Sequence, residues 1–504
     1  MTPLPCPATP TPRADPAACA APAWRRRLGA GLLLLGLCAC AGPTQPPGAV
    51  PLALAVPTAW SDAPTGSGAP ATPLAQWWLR FGDPLLTSLI EQALAANTSV
   101  QSAQAAVRGA RAQRDVAAAA LWPGLSATAS AQRNRGNSGS SNSASAGLDA
   151  SWELDLFGAN RSALEAGNAT LRASAASLGD VQVSLAAEVA ISYIALRGAQ
   201  ARLAIAQSNL DSQKETLQIT AWRQQAGLVT AIDLEQARGA VAQTSAQLPA
   251  LRTTVEQARH ALAVLTGQAP DALAQTLAAA QPVPRAPDEL ALAIPADTLR
   301  QRPDVRAAEQ QAMAAAHKLS AADAALLPSL RLGGSLGLNA VTGNTSVVSA
   351  LLASLSAPLF DGGALRAQTR VQQAALEQAR LAYQAAVLTA LKDVGDALVA
   401  LRGDRERLAR LQLAAASAVS AAELARLRYG SGLVDFQTVL ETQRTQLSTQ
   451  DGVASATADV SADQVRLFKA LGGGWQAQAG AAITPGQVSD TSPGNASQPR
   501  VSPL

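Results

Sequence analysis

Side chains able to do covalent chemistry are scarce in this 504-residue chain, and they are placed where they cannot cooperate. The two histidines, His260 and His317, belong to no set of ligands spaced for a metal, and both sit in alanine-rich runs that read as helix. No phosphate-cradling glycine loop and no cysteine-based catalytic motif occurs. All four cysteines, Cys6, Cys19, Cys38 and Cys40, fall at the extreme N-terminal end, so the body has neither a disulfide framework nor a thiolate metal site. The expectation is a protein without catalysis, cofactor or metal.

The one cysteine with a chemistry to offer is Cys40. Arg25, Arg26 and Arg27 precede a short apolar run, Leu28 to Leu37. A helix needs about 20 apolar residues to cross a bilayer, so this run reads as an export signal instead. It ends in Leu37-Cys38-Ala39-Cys40, which resembles a bacterial lipobox, where a small residue precedes the cysteine that is lipidated. Ala39 fits that position and makes Cys40 the lipidation site, whereas Cys38 follows the bulky Leu37. An ordinary signal peptide cut nearby is the alternative. The stretch before the arginines is long for a signal, so the start is expected downstream of Met1. Residues 1–39 are then a lipoprotein-type signal peptide, and 40–73, rich in Pro, Ala, Thr and Gly, a flexible tether.

The body is built from small residues. Hydrophobic residues make up 48%, yet aromatics are only 3%, which favours closely approaching helices over one thick core. A net charge of +3 without a basic stripe argues against nucleic acid as a partner. An internal repeat displaced by 205 residues organises the chain. Ala117–Leu125 (AAAALWPGL) matches Ala322–Leu330 (ADAALLPSL), and Gly227-Leu228-Val229 matches Gly432-Leu433-Val434. The first repeat spans 74–267 and the second 296–471. A Pro-rich linker, 268–295, joins them, and 472–504 reads as a disordered tail.

Each repeat carries a long helix with a seven-residue apolar period and one step of four. The positions run Leu164, Leu171, Leu178, Leu185, Val189, Leu196, Leu203, Leu210 and Leu217, then Leu376, Tyr383, Ala390, Val394, Leu401, Leu408 and Ala415. Heptads mean coiled-coil packing, locally unwound at the inserted four. A return helix follows in the first repeat (Leu234, Val241, Leu248, Val255, Leu262), with a kink expected at Pro249. Ahead of each long helix lie two strand-like segments, about 123–133 and 145–157, then 328–339 and 346–360. Polar loops are expected at 134–144 and 340–346. In the second segment Ala146, Leu148, Ala150, Trp152, Leu154 and Leu156 alternate with Asp149, Ser151, Glu153 and Asp155. Such strands suit a transmembrane β-barrel with a wet interior, or a soluble hairpin with one buried face. On the barrel reading Asp149, Glu153, Asp155 and Arg331 face the lumen, while Trp122, Phe157 and Phe360 mark one membrane interface.

Four strands cannot sit in lipid as an open sheet, because edge N–H and C=O groups would lack partners. The expected fold class is therefore mainly α with a membrane β-barrel, completed by assembly. Two chains would give eight strands and a filled interior, and three would give twelve and a passage. The chain resembles the TolC-like outer-membrane factor family, NodT-type lipoprotein branch. The matching motifs are Trp77–Leu85 (WWLRFGDPL), Trp152–Gly158 (WELDLFG), Arg302–Glu309 (RPDVRAAE), Pro358–Gly363 (PLFDGG) and Arg428–Val434 (RYGSGLV). The resemblance implies a homotrimer with a 12-strand β-barrel and a 12-helix periplasmic α-barrel. It also implies a periplasmic adaptor, an inner-membrane pump, proton-driven, and outer-membrane lipid as partners. The function implied is the exit duct of an efflux pump; the channel of a type I protein secretion system is the alternative, and a periplasmic adaptor is a further rival.

The long helices must reverse near Gly227 and Gly432, where the heptads pause. Gly227, Leu228, Val229, Gly432, Leu433 and Val434 are thus expected at the periplasmic tips and in contact with the adaptor. Glu423, Arg426, Arg428 and Tyr429, just before the second tip, form a candidate gate, with Glu423 one helical turn from Arg426. The bland reading of these charges is a solvated outer face. Family members often carry an aspartate where Arg426 stands, so an acidic ring at the mouth does not follow from the resemblance.

Overall fold

The structure is a computed structural model and describes residues 74–136, 139–287, 301–341 and 344–475. Cys40, the signal segment and the tether lie outside the described residues, as do 137–138, 288–300, 342–343 and 476–504.

A 3₁₀ segment, Leu74–Phe81, leads into α1 (Pro84–Ala96) and α2 (Thr98–Ala119). Strands β1 (Gly124–Gly136) and β2 (Gly139–Leu154) follow, then the long α3 (Ala159–Gln225) and its return helix α4 (Ala231–Leu265). The second repeat gives α5 (Pro303–Ala324), β3 (Ser329–Val341), β4 (Asn344–Ser356), α6 (Ala364–Gly430) and α7 (Phe436–Ala470). Helices α2 and α5, α3 and α6, and α4 and α7, like strands β1 and β3, are related by the 205-residue displacement at both ends, so the duplication is structural. With 67 residues, α3 and α6 are each about 100 Å long at 1.5 Å per residue.

The strands form one antiparallel sheet in the order β1-β2-β3-β4, without a bulge in any of the three registers. Both β1 and β4 are edges. In the helical layer α3 packs against α2, α4, α5 and α7, while α6 packs against α5 and α7. The main core gathers around the middle of α3, where Leu185, Val189, Tyr193 and Leu196 meet Trp77, Phe81, Leu262 and Phe468. Trp77 stacks on Phe468, with centroids 5.3 Å apart.

Several expectations change. The loops expected at 134–144 and 340–346 are largely strand: β1 runs to Gly136, and β2 restarts at Gly139. Serine-rich sequence has little intrinsic strand preference, but cross-strand pairing such as Ser130 Oγ to Ser145 Oγ, 2.8 Å, carries it. Near the sheet, the buried stripe of α3 is not the leucine heptad. Ala166, Ala169, Ala173, Ala176 and Gly179 are buried, while Leu164, Leu171 and Leu178 are only half-buried. The linker is packed along 268–287: Leu273, Leu277 and Ala286 are buried, and the buried Arg197 donates from Nη1 to Ala279 O at 2.7 Å. The first residues of the expected tail are packed as well. Gly474 N donates to Leu74 O at 2.8 Å, and the Trp475 indole lies on Gly179, where a Cβ would come within 2.5 Å of it.

Candidate functional site

The sheet sorts its side chains by chemistry. Residues that pair in register point to the same face. One face carries Leu125, Ala127, Ala129, Ala144, Ala146, Leu148, Ala150, Trp152, Leu330, Leu332, Leu336, Leu338, Val347, Leu351 and Leu355. Most of these side chains are exposed, including Leu351 and Leu355. The other face carries Ser126, Thr128, Ser130, Ser145, Asp149, Ser151, Glu153, Arg331, Ser335, Asn339 and Ser354, with Val341, Val348 and Leu352 as its apolar members. Glu153 and Arg331 are direct register partners, and Arg331 Nη2 reaches Glu153 Oε2 at 3.1 Å. Asp149 Oδ2 lies 3.5 Å from Thr128 Oγ1.

Three of the four expected polar-face charges thus share the face. Asp155 does not. It lies beyond β2, and its carboxylate accepts from Asn160 N at 3.2 Å and Arg161 N at 2.8 Å. An acid just ahead of a helix satisfies free N–H groups of the first turn and faces the positive end of the helix dipole; Asp155 anchors α3. Asp361 does the same for α6, accepting from Gly363 N and Leu365 N, and these backbone donors hold its carboxyl below the usual range. Of the aromatics expected at the interface, Trp122 and Phe360 are exposed and Phe157 is half-buried. Trp152 joins them at the same end of the sheet, donating from Nε1 to Leu121 O at 3.0 Å.

At the opposite end of α3 and α6 both hairpins turn as expected. Gly227 (φ +71°) and Gly432 (φ +78°) adopt the left-handed conformation that glycine accepts without steric cost. Leu228 N donates to Arg223 O and Leu433 N to Arg428 O, both at 2.9 Å, the paired closure of a Schellman C-cap. Thr230 and Asp233 form a reciprocal capping box for α4, and Asp435 caps α7 through Thr438 N. Leu228 and Leu433 are exposed at the turns, Val229 is half-buried, and Val434 packs against the tip cluster.

The candidate gate divides. Glu423 and Arg428 are exposed. Arg426 Nη1 pairs with Glu215 Oε2 of α3 at 3.1 Å rather than with Glu423. Tyr429 is not a surface residue at all. It is 1% exposed, with its hydroxyl 3.1 Å from Thr220 Oγ1, its ring against Phe436, and the Arg223 guanidinium 4.6 Å above its ring. Glu215, Thr220 and Arg223 were not visible as partners in the sequence, because heptad spacing orders residues along one helix and says nothing of which turn of another helix they meet.

One serine motif has hydrolase spacing, Gly333-Gly334-Ser335-Leu336-Gly337. It lies inside β3, not at the strand-to-helix turn that a nucleophile elbow requires. Helix α3 contains a window apolar enough to cross a membrane by length and composition, but half of that window is buried. Its residues from Leu185 to Leu196 supply the main core, which accounts for the apolarity.

The family model for outer membrane efflux proteins matches residues 89–268 and 294–473, two blocks displaced by the same 205 residues as the structural repeat. The chain belongs to the outer membrane efflux protein family. The pyoverdine export outer membrane protein OpmQ of Pseudomonas putida is 36% identical over 464 residues, 88% of this chain and 97% of that protein. Nodulation protein T of Rhizobium leguminosarum bv. trifolii is 32% identical over 463 residues, 90% of this chain and 97% of that protein. The solved outer-membrane channel OprN covers 85% of this chain and 99% of its own, with a TM-score of 0.78 at 34% identity. This outer membrane efflux protein is an outer-membrane channel, the exit duct of a tripartite efflux pump. The rival adaptor reading falls with these relatives.

Proposed function

We propose that three copies close edge to edge, β1 against β4 of the next copy, into a twelve-stranded barrel continued by a twelve-helix periplasmic tunnel. The observation that carries this reading is the sheet itself: an exposed apolar face, a polar face with the Glu153–Arg331 pair, and two unpaired edges. In lipid such edges need partners, and twelve strands are the smallest multiple that leaves a lumen. The helical layer has the same property, since α6 exposes Leu381, Leu388, Val399 and Leu413. Cys40 carries the lipid that tethers each chain to the outer membrane. The tips at Gly227, Leu228, Val229, Gly432, Leu433 and Val434 meet a periplasmic adaptor, and the pump behind it is an inner-membrane, proton-driven transporter. Arg426 and Tyr429 help to hold the resting mouth shut.

Native mass spectrometry of the full chain purified from membranes tests the assembly and the anchor together. The expected particle has three chains, each beginning at an acylated Cys40. A monomer would overturn the barrel reading, and an unacylated N-terminus the anchor.

A further inference from the structure

The apolar face of the sheet carries an exception at one end of β1. The register of β1 on β2 is unbroken from Gly124 to Gly136, so Leu125, Ala127, Ala129, Ala131, Arg133 and Arg135 all share one face. The polar face confirms the alternation, since Ser130 bonds Ser145 and Gln132 bonds Asn134. Arg133 and Arg135 therefore point outward with the leucines and alanines, and both are exposed. They are the only charged residues on that face among the described residues. Neither has an ion pair or side-chain hydrogen bond among the described residues.

Their height matters. From Leu125 to Arg135 there are ten residue steps, about 34 Å along a strand at 3.4 Å per residue. At a tilt of about 40° this is about 26 Å along the membrane normal, the height of the apolar band of a barrel. Because α2 and α3 attach at the Gly124 and Leu154 end, the arginines stand at the opposite, outer-leaflet end. No aromatic belt occupies this level. The protein supplies no counter-charge either: the sequence from Ser126 to Leu148 and from Leu332 to Phe360 contains no aspartate or glutamate. A neighbouring copy's β4 would bring Thr345, Val347 and Ser349 to the same side, which are also uncharged.

Resting on the barrel reading, we infer that Arg133 and Arg135 form an outward-facing clamp for the phosphate groups of the outer leaflet's anionic glycolipid. Two guanidinium groups two residues apart on one strand face stand about 7 Å apart at their backbones. Each presents a planar fork that matches phosphate oxygens, and such charge-assisted bonds are stronger than neutral ones. Threefold assembly sets three such pairs around the barrel rim. They fix its height from outside, while Trp122 and Trp152 fix it at the periplasmic end.

The test uses the full chain in detergent, titrated with diphosphorylated lipid A and read by native mass spectrometry as lipids bound per trimer. Arg133→Ser with Arg135→Ser should weaken binding by about tenfold while the particle stays trimeric, and the double lysine variant should retain part of it. Dephosphorylated lipid A should bind the wild-type trimer as weakly as lipid A binds the serine variant. Inorganic phosphate should not displace the lipid. Wild-type affinity in the trimeric serine variant, equal binding of dephosphorylated lipid, or displacement by inorganic phosphate would each overturn the clamp and leave the barrel standing. A wild-type chain that stays monomeric would overturn both.

Discussion

Asp463 is a residue whose protonation bears on the stability of this fold. Its side chain is 2% exposed near the end of α7, where it lines a cavity of about 400 Å³ with Asp180, Arg302, Asp393 and Lys469. Arg466 pairs with Oδ1, but Oδ2 has no hydrogen-bond donor among the described residues, and Asp404 lies beside it. Burial raises the Asp463 carboxyl above the usual range, Arg466 opposes that, and Asp404 adds to it. The folded chain then holds this proton more tightly than the unfolded chain, so stability falls as pH rises from the unfolded pKa through the folded one. Below that window both states are protonated and the penalty vanishes. Asp463→Asn removes the buried charge and can donate to Asp404. Melting of the purified channel should rise by about 2 °C at neutral pH, with the gain shrinking to nothing as the buffer approaches pH 4. A gain that is constant with pH would assign the effect to packing instead. Nothing in the sequence marks Asp463, because one aspartate on a polar-looking helix gives no sign of which neighbour covers it.

At the scale of elements, the strands show what a sequence can and cannot say. Alternation in Ala146–Leu154 places every side chain of that stretch on its observed face. The strand ends are less legible, since polar serine and asparagine pair across strands as readily as they form loops. Asp155, read as strand, turns out to cap α3, because helix capping and strand alternation both accept an aspartate there. Hairpin tips were legible from two glycines, and so was the leucine period through Leu185, Val189 and Leu196, whereas near the sheet the alanine seam of α3 was hidden behind Leu164, Leu171 and Leu178, which are only half-buried. These boundaries change where a charge is costly. Leu154 closes β2 at the interface, where an arginine can snorkel to water. Leu148 lies mid-strand between Ala127 and Leu336 on the apolar face. Leu148→Arg should therefore cost about 2–4 kcal/mol per chain and deplete the folded trimer in heat-modifiability gels. Ser145→Arg, on the polar face between Ser130 and Asn339, should assemble normally and shift ion selectivity. Equal loss of trimer in both would show that the two faces do not meet lipid and water as assigned.

In the whole molecule, the proposed closure of the far mouth rests on how the two hairpins meet at their tips. Hairpins α3/α4 and α6/α7 meet at their tips through two kinds of contact. The Arg426–Glu215 pair lies outside, with side chains 39% and 67% exposed. Exposed pairs of this kind contribute about 0.2–1 kcal/mol. The Tyr429 cluster lies inside, combining a buried ring against Phe436, a hydroxyl contact with Thr220 and the Arg223 guanidinium over the ring. Truncating a buried aromatic costs about 3–5 kcal/mol, and the cation–π contact adds about 0.5–2 kcal/mol. If opening parts the two hairpins, the buried cluster and not the ion pair sets the resting state. Conductance in planar bilayers should then rise only modestly in Arg426→Ala and Glu215→Ala, with no further rise when both are combined. Tyr429→Ala should open the channel far more and admit vancomycin to cells that otherwise exclude it. Tyr429→Phe keeps the ring and should stay close to the wild type. Equal opening by Arg426→Ala and Tyr429→Ala would return the gate to the surface charges. Unchanged vancomycin exclusion in a folded Tyr429→Ala trimer would mean that the hairpins do not part when the mouth opens.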